Sequence, residues 1–170
     1  MDISTLASFN NFLFVLFLVG LVVFVALYFV DAGYGKMRSD KWGPAINNKV
    51  GWCLMEMPVF MVMLYLWAIS DVKFQLPYLV FFLIFQFHYF QRSFIFPFLL
   101  KGNSKMPLVI MFFSMVWNLV NGYIQGYWLF HLAPVFASHL YTPAWFFDPR
   151  FIVGVVIFVA GWVINMHSDH

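Results

Sequence analysis

Long apolar stretches, each close to the length of a bilayer crossing, alternate with short polar connectors along this chain. Five of them predict membrane helices: about Asn11–Val30, Gly51–Ile69, Leu76–Leu100, Pro107–Phe130 and Phe151–Met166. Each approaches the roughly 20 residues that carry a helix across a hydrocarbon core, the last being the shortest. The fold class is therefore all-α, a polytopic membrane helix bundle that forms one membrane domain over residues 1–170. Pro97 lies near the end of the third stretch and is expected to kink only its last turn. The connector 131–149 is rich in Pro, His, Tyr and Trp and reads as an interfacial cap with aromatic anchors.

The polar positions inside these stretches carry the information. The second holds Glu56, the third His88, Tyr89 and Arg92, the fourth Asn118, Asn121 and Gln125, and the fifth ends in Asn165. An arginine at that depth costs about 2.5–3.5 kcal/mol on insertion scales unless it faces protein, water or a ligand. At 1.5 Å per residue, Glu56 lies roughly 10 Å inward from Lys49, while Arg92 and Tyr89 lie roughly 14 and 18 Å inward from Lys101. All three groups can meet in one half of the membrane. Helical spacing puts Trp52 and Glu56 on one face, and Tyr89, Arg92 and Phe96 on another.

Composition sharpens the class. Of 170 residues, 64% are hydrophobic and only 9% charged, against about 25% in soluble domains. The first stretch is too long, and too poorly flanked by positive charge, for a cleaved signal peptide. Lys36, Arg38, Lys41, Lys49, Lys101 and Lys105 fall on one side of the predicted bundle, and Lys73 and Arg150 on the other. That bias places the N-terminus outside and the C-terminus in the cytoplasm. The basic residues sit in short loops, so the net charge of +2 does not suggest nucleic acid as a partner. Cys53 is the one cysteine, which excludes an intrachain disulfide and a thiolate cluster.

Glu56 is the sharpest candidate. Apolar surroundings favour the neutral carboxylic acid, which beside the Tyr89 hydroxyl would make a pair of donors able to polarise a carbonyl. A structural ion pair between Glu56 and Arg92 is the plain alternative. His88 points about 100° away from Tyr89 and is expected to make a helix–helix hydrogen bond. Asn118, Asn121 and Gln125, with Gly122 and Gly126 four apart, read first as helix packing and only second as a ligand wall. His167 and His170 with Asp169 are too few for a metal site. Gly33-Tyr34-Gly35-Lys36 reads as a turn, with a ligand role open.

Together these pieces resemble the steroid 5α-reductases (3-oxo-5α-steroid 4-dehydrogenases), a bacterial member above all. The matching residues are Gly33-Tyr34-Gly35-Lys36; Trp52 with Glu56 and Pro58; His88-Tyr89-Phe90 with Arg92 and Pro97-Phe98; Asn121-Gly122 with Gln125; Asp148-Pro149-Arg150-Phe151; and Ile164-Asn165 with His167-Ser168-Asp169. The resemblance implies a seven-helix fold, of which five spans are seen, so the chain is expected to be C-terminally incomplete. It implies NADPH as cofactor and a 3-oxo-4-ene steroid or other lipid as substrate, with hydride delivered to C5. On that basis Glu56 and Tyr89 are the catalytic pair on the 3-oxo group. Trp52, Phe96 and Trp117 would line the steroid slot, and Asn165 and Asp169 would sit at the nicotinamide end of the cofactor site. Arg92 would serve the cofactor or order the pocket. Met55 stands where the animal enzymes often carry Gln, and Phe113 where the type 2 enzymes carry Arg. A multi-pass protein of the bacterial inner membrane, or of the endoplasmic reticulum in a eukaryote, is implied.

Two other readings compete. A related membrane ene-reductase acting on an enoyl-CoA or a polyprenal would share the chemistry. A transporter using Glu56 and Arg92 along a polar path would predict flux without NADPH oxidation, but there is no broken-helix repeat to support it.

Overall fold

The computed structural model describes residues 3–30 and 40–168 of the chain. Among them five helices are long and apolar enough to cross a membrane: α1 Ile3–Ala26, α2 Asn48–Ala68, α3 Leu76–Leu99, α4 Leu108–Phe136 and α5 Pro149–Ser168. The protein is an all-helical, multi-pass membrane protein. Gly33-Tyr34-Gly35-Lys36 and Asp169 lie outside the described residues.

The bundle is organised on the contact between α2 and α4. Gly122 and Gly126 let the two backbones close in, for a β-carbon at Gly122 would lie 2.9 Å from the Val59 carbonyl oxygen. One at Gly126 would lie 2.8 Å from Leu66 Cδ1. Small residues four apart are what membrane helices use for such close approach, because dispersion rather than solvent exclusion drives their packing. Val59 and Met63 are accordingly sealed in this seam, at 0% and 1% exposure.

The other helices dock around this pair. Phe60 of α2 meets Phe94 of α3 edge to face at 5.3 Å, and Gln86 Nε2 donates to the Phe60 carbonyl at 3.3 Å. The helix α5 lies on the far face of α3 through Phe87–Trp162 and Phe81–Phe151 ring contacts. In α1 one buried side chain, Phe9, packs on Tyr127 and Trp128 of α4. Most of the remaining apolar surface of α1 and α5 is exposed, as lipid-facing helices require.

Both prolines near helix ends act further back than the sequence suggests. Residues Gln91–Ile95 form a π-helical stretch, closed by the Phe96 N–H bonding to the Gln91 carbonyl five residues earlier, so Pro97 disturbs more than a last turn. Trp128–Leu132 does the same ahead of Pro134, with the Ala133 N–H on the Trp128 carbonyl. A proline ring collides with the carbonyl four residues before it and offers that carbonyl no N–H. Widening the helix by one residue relieves the collision. The Phe130 carbonyl, four before Pro134, takes its hydrogen bond from Ser70 Oγ at 3.2 Å. As a result α4 runs on to Phe136, beyond its predicted end near Phe130.

The connectors pair by end. Ala45–Asn47 (β1) and Lys105–Pro107 (β2) form a short antiparallel ladder, with Ile46 opposite Met106. The loops before α2 and before α4 therefore share one end of the bundle, as their basic residues predict. At the other end three-residue and five-residue 3-10 turns, Ser138–Leu140 and Pro143–Phe147, build the aromatic cap. Tyr141 stacks on Tyr78 at 5.2 Å and accepts a hydrogen bond from Trp128 Nε1 at 3.0 Å.

Candidate functional site

The polar residues inside the spans converge where α2, α3 and α4 meet. On α2, Trp52 and Glu56 lie one turn apart and face α3. There the π-helical stretch presents Arg92, whose guanidinium sits 4.8 Å from the Trp52 ring and 4.3 Å from the Phe96 ring. Trp52 and Phe96 meet edge to face at 4.9 Å. The cation thus sits in the corner that the two rings form, in reach of both, a geometry that offsets part of its desolvation.

The helix α4 adds two amides. Asn118 Nδ2 donates to the Met55 carbonyl at 2.8 Å and to Glu56 Oε2 at 3.3 Å. Asn121 Nδ2 donates to the Tyr89 hydroxyl oxygen at 2.8 Å. From sequence these asparagines read mainly as packing residues. Their three-residue spacing beside Gly122 was the signal available, since it sets both on the face that meets α2 and α3.

Two cavities meet at Asn121. One, of about 450 Å³, lies between α1 and α4 and is lined by Gly20, Phe24, Trp117 and Asn121, among others. The other, of about 530 Å³, lies between α3, α4 and α5, where Phe85, His88, Tyr89, Asn121, Gln125 and Trp162 line it. Asn121 belongs to both walls. Trp117 faces the α1 side, away from the Trp52–Phe96 pair with which the resemblance groups it.

His88 departs from expectation. It packs edge to face on Tyr89 at 5.0 Å and on Phe158 of α5 at 6.1 Å, and its buried Nδ1 has no hydrogen-bond partner among the described residues. The expected helix–helix hydrogen bond is not made there, because an aromatic ring occupies the facing position on α5. Trp162 Nε1 is buried and unpartnered in the same way. Asn165 is exposed on α5, so the structure does not bring it to Glu56 and Tyr89.

The chain matches known proteins in the same terms. A family profile described as 3-oxo-5-alpha-steroid 4-dehydrogenase matches residues 104–170. A steroid 5-alpha-reductase of Gossypium hirsutum is 30% identical over 95% of this chain and 62% of its own length. A 3-oxo-5-alpha-steroid 4-dehydrogenase 1 of Bos taurus is 31% identical over 89% of this chain and 58% of its own. A 3-oxo-5-alpha-steroid 4-dehydrogenase 2 of Sus scrofa is 35% identical over 86% and 56%. The chain thus spans less than two thirds of the length of these relatives, with similarity along nearly all of its own.

Proposed function

We propose that this chain belongs to the steroid 5α-reductase family and forms the carbonyl-binding part of an NADPH-dependent reductase of 3-oxo-4-ene steroids. The observation that carries the reading is that two asparagines one turn apart on α4 hold the pair, Asn118 on Glu56 and Asn121 on Tyr89, beside a cavity that Tyr89 lines. Similarity to steroid 5α-reductases over almost the whole chain supports it.

The residues fit the implied cofactor. The cavity between α3, α4 and α5 combines flat aromatic walls with two orphaned buried nitrogens, His88 Nδ1 and Trp162 Nε1. A planar ring bearing a carboxamide needs such partners. When bound, NADPH supplies the hydride. Asn165, Asp169 and Arg92 are assigned to it by resemblance. The apolar cavity beside Trp117 is proposed for the steroid nucleus, with its 3-oxo end reaching past Asn121, common to both cavities, to Tyr89 in the neighbouring one. Trp52 and Phe96 are assigned to the substrate by resemblance.

Hydride addition at C5 drives negative charge onto the 3-oxo oxygen. Tyr89 and protonated Glu56 donate hydrogen bonds to that oxygen, and these strengthen as the enolate forms. C4 then takes a proton from water, and Glu56 and Tyr89 keep theirs. The helices hold both donors before the substrate arrives, so little reorganisation remains to be made during reaction. The cluster of basic loops supports an N-terminus outside and a C-terminus in the cytoplasm.

The test is spectroscopic and catalytic. Hydrogen bonding by acids shifts the conjugated carbonyl band of a 4-ene-3-one steroid to the red, so mixing steroid with the purified protein should produce that shift. Steroid-dependent NADPH oxidation should fall about tenfold or more in Glu56→Gln and in Tyr89→Phe, which corresponds to about 1.4 kcal/mol or more at the transition state. A wild-type protein showing neither band shift nor steroid-dependent oxidation would overturn the reading.

A further inference from the structure

We infer that Asn121 is a positioning residue that fixes Tyr89 as a hydrogen-bond donor and thereby tunes the site for a ketone over the corresponding alcohol. This rests on the proposed role of Tyr89. A phenolic oxygen carries one proton and accepts at its lone pairs. The Asn121 amide donates into Tyr89 at 2.8 Å, so the tyrosine proton cannot point along the same line. Among the described residues no other hydrogen bond to Tyr89 is formed, and its nearest ring neighbours are Phe85 at 4.6 Å and His88 at 5.0 Å. The proton is left to the cavity that Tyr89 and Asn121 both line.

The same arrangement recurs one turn away. Asn118 Nδ2 is anchored on the Met55 carbonyl, an acceptor only, so its orientation is set by chemistry. It also donates to Glu56 Oε2, occupying an accepting position of that carboxyl. Both asparagines therefore use acceptor capacity of the pair and leave donor capacity for a ligand. A ketone oxygen, with acceptor sites and no proton, satisfies such a site fully. A 3-hydroxyl would bring a further proton into a site whose acceptor positions the two asparagines already partly occupy, so it is the poorer fit.

Two measurements test this. The tyrosine ring doublet in the ultraviolet resonance Raman spectrum reports whether a hydroxyl accepts or donates, and the wild-type minus Tyr89→Phe difference isolates Tyr89. Without any steroid, that difference should show an accepting hydroxyl. In Asn121→Leu, which keeps a similar volume and carries no donor, the accepting signature should be lost. The second measurement is the ratio of dissociation constants for a 4-ene-3-one steroid and its 3-hydroxy counterpart. The wild type should prefer the ketone by tenfold or more, on the order of the discrimination a single misplaced donor imposes. In Asn121→Leu the preference should collapse, with kcat falling far more than KM changes. A wild-type Raman signature of donation alone, or an unchanged ketone preference in Asn121→Leu, would overturn the inference. If the Raman result holds and neither steroid binds the wild type, the failure lies with the proposed substrate and not with the polarity of the Asn121–Tyr89 bond.

Discussion

Replacing Gly122 by alanine should loosen the site without touching any group in it. A β-carbon at this position would lie 2.9 Å from the Val59 carbonyl oxygen, 3.1 Å from Val59 Cα and 3.2 Å from Val62 Cβ. Two of these atoms are backbone, so no rotamer change makes room and α2 and α4 must part. Reaching ordinary contact requires a separation of about 0.5 Å, and over-packing of that kind costs about 1–3 kcal/mol. The better helix propensity of alanine returns up to about 1 kcal/mol. The same displacement stretches the Asn118–Met55 bond from 2.8 Å and carries the Asn118–Glu56 contact, already 3.3 Å, out of hydrogen-bond range. Unfolding in mixed micelles titrated with sodium dodecyl sulfate should therefore show Gly122→Ala less stable by about 1–2 kcal/mol. The enone band shift should shrink with it. Gly154→Ala is the control, since nothing lies within 4 Å of its β-carbon position, and it should be as stable as the wild type or more stable by up to about 1 kcal/mol. A Gly122→Ala protein with wild-type stability and an undiminished band shift would refute the close-approach argument.

Two further outcomes follow from local chemistry. Ser70→Ala removes the donor to the Phe130 carbonyl, and leaving that buried oxygen unpaired should cost about 1–3 kcal/mol of unfolding free energy. In a Pro134→Ala background, where an N–H becomes available to the same carbonyl, the Ser70→Ala penalty should shrink; equal penalties in both backgrounds would disconnect Ser70 from the proline. At the surface, Asp148 accepts a fork of hydrogen bonds from Arg150, at 2.9 Å from Nε and 2.8 Å from Nη2, which holds its pKa down at about 2. A depressed folded value means that the contribution to stability is complete above the ordinary value of 3.8 and disappears as pH falls through about 2. An acid titration of unfolding should lose its slope in this window in Asp148→Asn, and an unaltered slope would assign it to another group.

The transmembrane layout was legible in the sequence because the cost of placing a side chain in hydrocarbon is paid residue by residue. The charges and prolines around Leu76–Leu99 or Asn48–Ala68 therefore marked their ends to within a few positions. Depth was legible for the same reason: a fixed rise per residue set Glu56, Tyr89 and Arg92 at comparable levels before any packing was known. Helix rotation and separation were not legible. They depend on how α4 seats Gly122 against Val59, and on π-helical stretches that shift every later side chain of α3 and α4. Neither quantity is a sum over single residues. Only the folded bundle shows that Asn118 and Asn121 reach Glu56 and Tyr89, that Arg92 lies against both Trp52 and Phe96, and that His88 packs on the Phe158 ring of α5. Hydrophobicity along the chain determined where the helices cross, whereas contact between them decided which polar groups meet.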